Sequence, residues 1–115
     1  MLLQISERTI EPGITHVQVI GRLTLGREAQ RLESLTADLA QKGVSKVILD
    51  LSGVEYIDSS GIGIVMLSSG RLKQAGSRMV VVVPEGRVLQ LLKMAGLDAL
   101  LTISDSVEKA AAAVA

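Results

Sequence analysis

The chain has no cysteine, no tryptophan, no phenylalanine, one tyrosine and one histidine. Without cysteine there is no disulfide scaffold, no thiolate metal site and no cysteine nucleophile. A single histidine, His16, excludes a multi-histidine metal centre, and neither a metal nor a cofactor is expected. One aromatic ring supplies no base-stacking platform and no aromatic cage. An excess of charge is missing as well: 12 Lys and Arg balance 12 Asp and Glu. Direct nucleic-acid binding, which needs a basic surplus or stripe, is therefore not expected. No apolar run approaches the ~20 residues needed to span a bilayer. The start, MLLQISERT, carries early charge and no small-residue cleavage site, unlike a secretory leader. A soluble cytoplasmic protein is the expectation.

What remains is 115 residues, 48% of them hydrophobic and nearly all of those aliphatic. That suits one domain, residues 1–115, with one packed core. Residues 2–8 and 14–21 alternate in polarity, the period of half-buried strands. In the second run Ile14, His16, Gln18 and Ile20 share one face, and Thr15, Val17 and Val19 the other. Glu11-Pro12-Gly13 between them is turn chemistry, which predicts a hairpin. From Gly26 to Gln41 the spacing becomes helical, with Ala29, Leu32, Leu35, Thr36 and Leu39 on one stripe and Gly43 at the stop. Lys46–Leu51 and Met79–Val83 are nearly continuous apolar runs, as in inner parallel strands. Residues 59–75 are long enough for a crossover helix between them. A short helix after Pro84, a last strand near 100–103 and an alanine-rich helix capped by Ser104 or Asp105 complete the order. The expected fold is α/β: a mixed sheet, an N-terminal hairpin plus parallel central strands, with about four helices packed against it.

One segment departs from ordinary core design. Asp58-Ser59-Ser60 has the residues of a helix N-cap, yet Gly61, Gly63 and Gly70 follow it. Each glycine inside a helix costs about 1 kcal/mol relative to alanine. Local rules broken in one place point to function. Small residues at a helix start let another surface approach, and two hydroxyls stand at the positive end of a helix dipole. A phosphate on one of them places about −1.5 to −2 charges on that surface. A lone Asp-Ser-Ser-Gly is better read as a simple cap, since the pattern is short and caps are common.

The wider pattern resembles the STAS domain family (sulfate transporter and anti-sigma factor antagonist), and within it the bacterial anti-sigma factor antagonists. The matching pieces are Val19-Ile-Gly-Arg-Leu23, Val47-Ile-Leu-Asp-Leu51, Val54-Glu-Tyr-Ile-Asp-Ser-Ser-Gly-Ile-Gly63, Arg71-Leu-Lys-Gln-Ala-Gly-Ser77, Met79–Val83 and Val88–Leu97. The resemblance implies a binding module and not an enzyme. Such antagonists bind an anti-sigma factor that is often a serine kinase, and so free a sigma factor. Phosphorylation breaks the binding and a serine phosphatase restores it. Carried onto this chain, the acceptor is Ser60, with Ser59 as second candidate. The partner surface takes in Asp58, Gly61, Ile62 and Gly63 and the Gly21–Gly26 loop, with Arg22, Thr24 and Arg27 nearby. The family's phosphorylated members carry acids around a Gly-Glu-Leu-Asp segment, where this chain has Gly21-Arg22-Leu23-Thr24. Arg22 or Arg27 can then pair with a phosphate instead of repelling it.

Other readings are weaker. One is a STAS subunit of a larger assembly, a stressosome-like scaffold or a lipid-transport complex, with no phosphorylation switch. Another is a nucleotide or small-ligand binder at the same helix start, although the P-loop lysine and the GxGxxG fingerprint are absent. A serine nucleophile with His16 as base lacks a GxSxG elbow, and His16 in an alternating strand reads as a partly exposed sheet residue. Asp50 reads as a strand end, Tyr56 as packed under a loop, and Met66, Met79 and Met94 as core filler, although Met94, beside Ala95-Gly96, also suits a partner face. Oligomeric state is left open by the sequence.

Overall fold

A computed structural model describes residues 3–11 and 13–114. Five strands form one sheet in sequential order: β1 (Gln4–Glu11), β2 (Ile14–Leu23), β3 (Lys46–Ile57), β4 (Arg78–Val82) and β5 (Thr102–Ser104). β1 and β2 are antiparallel, and every later neighbour is parallel. Four α-helices connect or close the strands: α1 (Arg27–Gln41), α2 (Ser59–Gln74), α3 (Arg87–Met94) and α4 (Val107–Val114). The mixed α/β architecture agrees with the expected one. Pro12 and Leu2, invoked for the turn and the first strand, lie outside the described residues.

The alternation in β2 sorts its side chains between two cores. Val17, Val19 and Leu23 join the larger core, together with Ala29, Leu32 and Leu39 of α1, Ile64, Val65 and Leu72 of α2, and Val88 and Leu92 of α3. Ile14 turns the other way, into a smaller cluster of Ile48, Val80, Val82, Ala110 and Val114. Three helices therefore cover one face of the sheet and α4 covers part of the other. α1 and α2 are tied by more than apolar contact. The Thr36 and Ser68 hydroxyls, both buried, lie 3.0 Å apart, and Arg71 donates to Glu33 at 3.1 Å. α4 begins one or two residues later than a cap at Asp105 or Ser104 would set it, because the Ser106 hydroxyl accepts the Lys109 N–H (3.2 Å) and so performs the capping.

β3 corrects the sequence reading most. It runs six residues past Leu51, where the continuous apolar run ends and a strand end was expected. The core-facing residues are Val47, Leu49, Leu51, Val54 and Ile57, so the spacing changes from two to three after Leu51. Two bulges cause this. Gln18 and Ile20 of β2 oppose Asp50 and Gly53, and Gly21 and Arg22 oppose Val54 and Tyr56. Each adds one residue to β3 and restores an apolar side chain to the core after a two-residue gap. Gly53 is required at the first, since a Cβ there would lie 2.8 Å from Ile20 Cγ1. Gly21, with φ of 115°, bends β2 at the second.

Candidate functional site

The far ends of β2 and β3 deliver the segment of interest. β3 ends at Ile57, whose side chain is buried, and Asp58 follows with extended backbone as the N-cap of α2. The Asp58 carboxylate accepts the Gly61 N–H at 2.9 Å, and its carbonyl accepts the Ile62 N–H at 2.9 Å. The Asp58 N–H reaches back to the Leu23 carbonyl at 3.4 Å. Ser59 and Ser60 are thus the first two residues of a 16-residue helix, Ser59 exposed and Ser60 half-buried. Neither hydroxyl enters a hydrogen bond of the described network, and both stand at the electropositive end of the helix.

The glycines that made this segment conspicuous do different work. Gly61 is buried against the end of β2, and a Cβ on it would overlap the Leu23 carbonyl oxygen and crowd Ile57 Cγ1 at 2.8 Å. Close packing of α2 on β2 demands it. Gly63 and Gly70 have open space where a side chain would stand, so packing within the domain does not require either. Between them Met66 and Leu67 are exposed. Met66 was expected in the core. On this helix it forms part of an apolar strip with Gly63, Leu67 and Gly70 that leads away from the serines.

The remaining residues singled out from sequence fall around this centre or away from it. Thr24, half-buried, directly follows β2 and so lies beside the Leu23–Asp58 contact. Arg27 is the exposed first residue of α1. Ile62 packs against the larger core. Arg22 belongs to the opposite face of the sheet from Leu23. Its guanidinium lies 4.6 Å from the centre of the Tyr56 ring, a cation–π contact with its own β3 register partner. Tyr56 is therefore 40% exposed under an arginine and not tucked under a loop. Met94 ends α3, which packs on β3, and at 79% exposed it is not core filler, because it stands on the outer side of the helix's last turn.

His16 and Asp50 were the residues least well placed from sequence. His16 is only 4% exposed and Asp50 2%. Asp50 lies inside β3, not at a strand end, and its Oδ2 is 2.8 Å from His16 Nε2. Burial alone would raise the Asp50 carboxyl. The Ser52 hydroxyl and N–H, with His16, outweigh burial and hold it below its ordinary value. No serine of α2 shares this pair, so the arrangement needed for a histidine-activated nucleophile is absent among the described residues. No cluster of three or more metal-ligating side chains occurs among the described residues.

The model of the STAS domain matches residues 6–110. BtrV of Bordetella bronchiseptica, which carries the name of an anti-sigma factor antagonist, is 32% identical over 85 residues, 74% of this chain and 73% of its own. The crystal structure of an anti-sigma factor antagonist from Mycobacterium paratuberculosis superposes with a TM-score of 0.85 at 21% identity, over 98% of this chain and 94% of the other. The phosphorylated form of SpoIIAA from Bacillus gives a TM-score of 0.75 at 16% identity, over 97% and 100%. At those identities the two structures speak for the fold alone. The family match, spanning both strand bulges and the Asp58-capped helix, fixes the lineage: the chain belongs to the STAS domain family.

Proposed function

We propose that this protein is an anti-sigma factor antagonist that docks on its anti-sigma factor through the start of α2. In this reading, phosphorylation of Ser60 ends the docking. The observation that carries the proposal is the Asp58-capped helix start, with Ser59 exposed, Ser60 half-buried, neither hydroxyl in a hydrogen bond among the described residues, and Gly61 seated on Leu23. Such a site accepts a phosphate with little internal rearrangement, because the helix end already favours negative charge. The added charge then falls on whatever surface faces it. The name of a relative supports the reading: BtrV is called an anti-sigma factor antagonist.

The docking surface in this proposal begins at Ser59 and Ser60, includes Thr24 and Arg27, and continues along Gly63, Met66, Leu67 and Gly70. Exposed apolar side chains interleaved with glycine suit close approach of a partner helix. The kinase is the anti-sigma factor itself or an associated serine kinase, and a serine phosphatase reverses the modification. The function is one of binding, not catalysis, and is exercised in the cytoplasm. No helix of the described residues is long and apolar enough to cross a membrane.

A second reading has one observation behind it. Arg22 and Thr24 occupy positions where acids accompany the phosphorylated serine in similar antagonists, and Arg22 is held on Tyr56. A STAS subunit of a larger assembly with no switch at Ser60 fits that difference. Incubation with the cognate kinase and ATP separates the two. One added phosphate mass, lost in Ser60→Ala, supports the switch; an unmodified chain supports the assembly subunit.

A further inference from the structure

We propose that His16 and Asp50 are positioning residues for the α2 helix start, acting through Ser52 on the first bulge of β3. Bulges in parallel ladders are rare, and the extra residue loses its ladder partner. Here Leu51 and Ser52 together oppose the single residue Val19. The N–H of Ser52 is taken up by the Asp50 side chain: it donates to Oδ1 at 2.9 Å, and the Ser52 hydroxyl donates to the same oxygen at 2.5 Å. The other carboxylate oxygen, Oδ2, is fixed by His16 Nε2 at 2.8 Å, from the neighbouring strand. The carboxylate is thus held on both sides, and it supplies the acceptor that the sheet withholds from Ser52.

The arrangement carries a cost that packing alone does not explain. His16 Nδ1 is buried with no hydrogen-bond partner, and two polar side chains occupy a face otherwise filled by Ile14, Ile48, Val80 and Val82. The return lies downstream of the bulge. Val54, Ile57 and the α2 cap reach their positions only if β3 keeps its additional residue here. A slip of one residue would send Val54 and Ile57 to the outer face and carry Asp58 away from Leu23. The consequence for Ser60 rests on the switch reading above; the claim about register does not.

The protein contains its own reporter. Tyr56 is the sole aromatic residue, it lies beyond both bulges, and Arg22 covers its ring. The near-ultraviolet circular dichroism therefore belongs to Tyr56 alone. The test compares His16→Ala, Asp50→Ala, Ser52→Ala and His16→Gln with the unmodified chain, under conditions where far-ultraviolet spectra coincide. Amide exchange is measured separately for residues 46–49 and 53–57. His16→Ala is expected to lose most of the Tyr56 band and to speed exchange at 53–57 by roughly tenfold relative to 46–49. His16→Gln, whose amide can still donate to Asp50, restores both. Ser52→Ala, exposed and mild, gives a smaller change of the same kind and keeps the test decisive if Asp50→Ala does not fold. Uniformly faster exchange across the sheet with an unchanged Tyr56 band would mean that the pair contributes ordinary stability, and would overturn the proposal. These readings need no partner. If the unmodified chain binds no anti-sigma factor, the functional reading fails, while the outcome for His16 and Asp50 is decided by Tyr56 and exchange alone.

Discussion

Gly61 at the start of α2 is seated directly on the carbonyl oxygen of Leu23 at the end of β2, with no room for a single methyl group between them. This contact joins the helix start to the β2–α1 loop and makes the two a single surface. Gly61→Ala is expected to destabilise the fold by about 2–3 kcal/mol, as overpacking against backbone does. Gly63→Ala and Gly70→Ala, in open space, should each stabilise it by about 0.5–1 kcal/mol through helix propensity. Urea denaturation of the three variants checks both signs. If Gly63→Ala also weakens partner binding while raising stability, close approach at that position is established.

The cap can be tested by itself. Asp58→Ala removes the acceptor of the Gly61 N–H and should cost about 1 kcal/mol. Asp58→Asn or Asp58→Ser should recover most of that. A loss well below this in thermal denaturation would show that the Asp58 N–H contact to Leu23, and not the carboxylate, fixes the helix start.

Acid sensitivity follows from Asp50. Its carboxyl is held below the ordinary value of 3.8 in the folded chain, so the folded state prefers it ionised. The associated stability is present above the unfolded value and is lost as pH falls through the lower, folded value. Urea midpoints should therefore decline from about pH 5 downward more steeply in the unmodified chain than in Asp50→Asn. Equal slopes would contradict the assignment of Asp50 as a stabilised carboxylate.

The charge difference at the β2 end yields another prediction. Arg22→Ala exposes the Tyr56 ring and should alter its fluorescence while costing only about 0.5–1 kcal/mol, the worth of an exposed cation–π pair. Thr24→Asp places an acid beside the Leu23–Asp58 contact. Titration calorimetry with the anti-sigma factor should show that this substitution weakens binding of the phosphorylated form more than that of the unphosphorylated form. Identical affinities in both states would remove the local charge pattern from the account.

Much of the fold was legible because its periods are clean. Val17 and Val19 face one core and Ile14 the other along β2, and Ala29, Leu32, Thr36 and Leu39 are buried at helical spacing along α1, with Leu35 partly buried beside them. Asp58 reads as a cap from its residue type and position, and it caps. The second half of β3 was not legible, because the spacing of Leu51, Val54 and Ile57 matches neither strand nor helix once two bulges intervene. The burial of His16 depends on Asp50, 34 residues away, which no local pattern reveals. Gly61, Gly63 and Gly70 look alike in sequence. Only the carbonyl lying across from Gly61 separates the one that packing requires from the two that leave space.

The most direct test of the account measures the affinity of one anti-sigma factor for three forms of the protein: unmodified, phosphorylated at Ser60, and Ser60→Ala. Calorimetry should find the unmodified form and Ser60→Ala binding alike, and the phosphorylated form weaker by roughly 100-fold, about 2.7 kcal/mol. Equal affinity for all three, with the phosphorylated chain still folded, would contradict the assignment of the α2 start as a phosphorylation-controlled docking site.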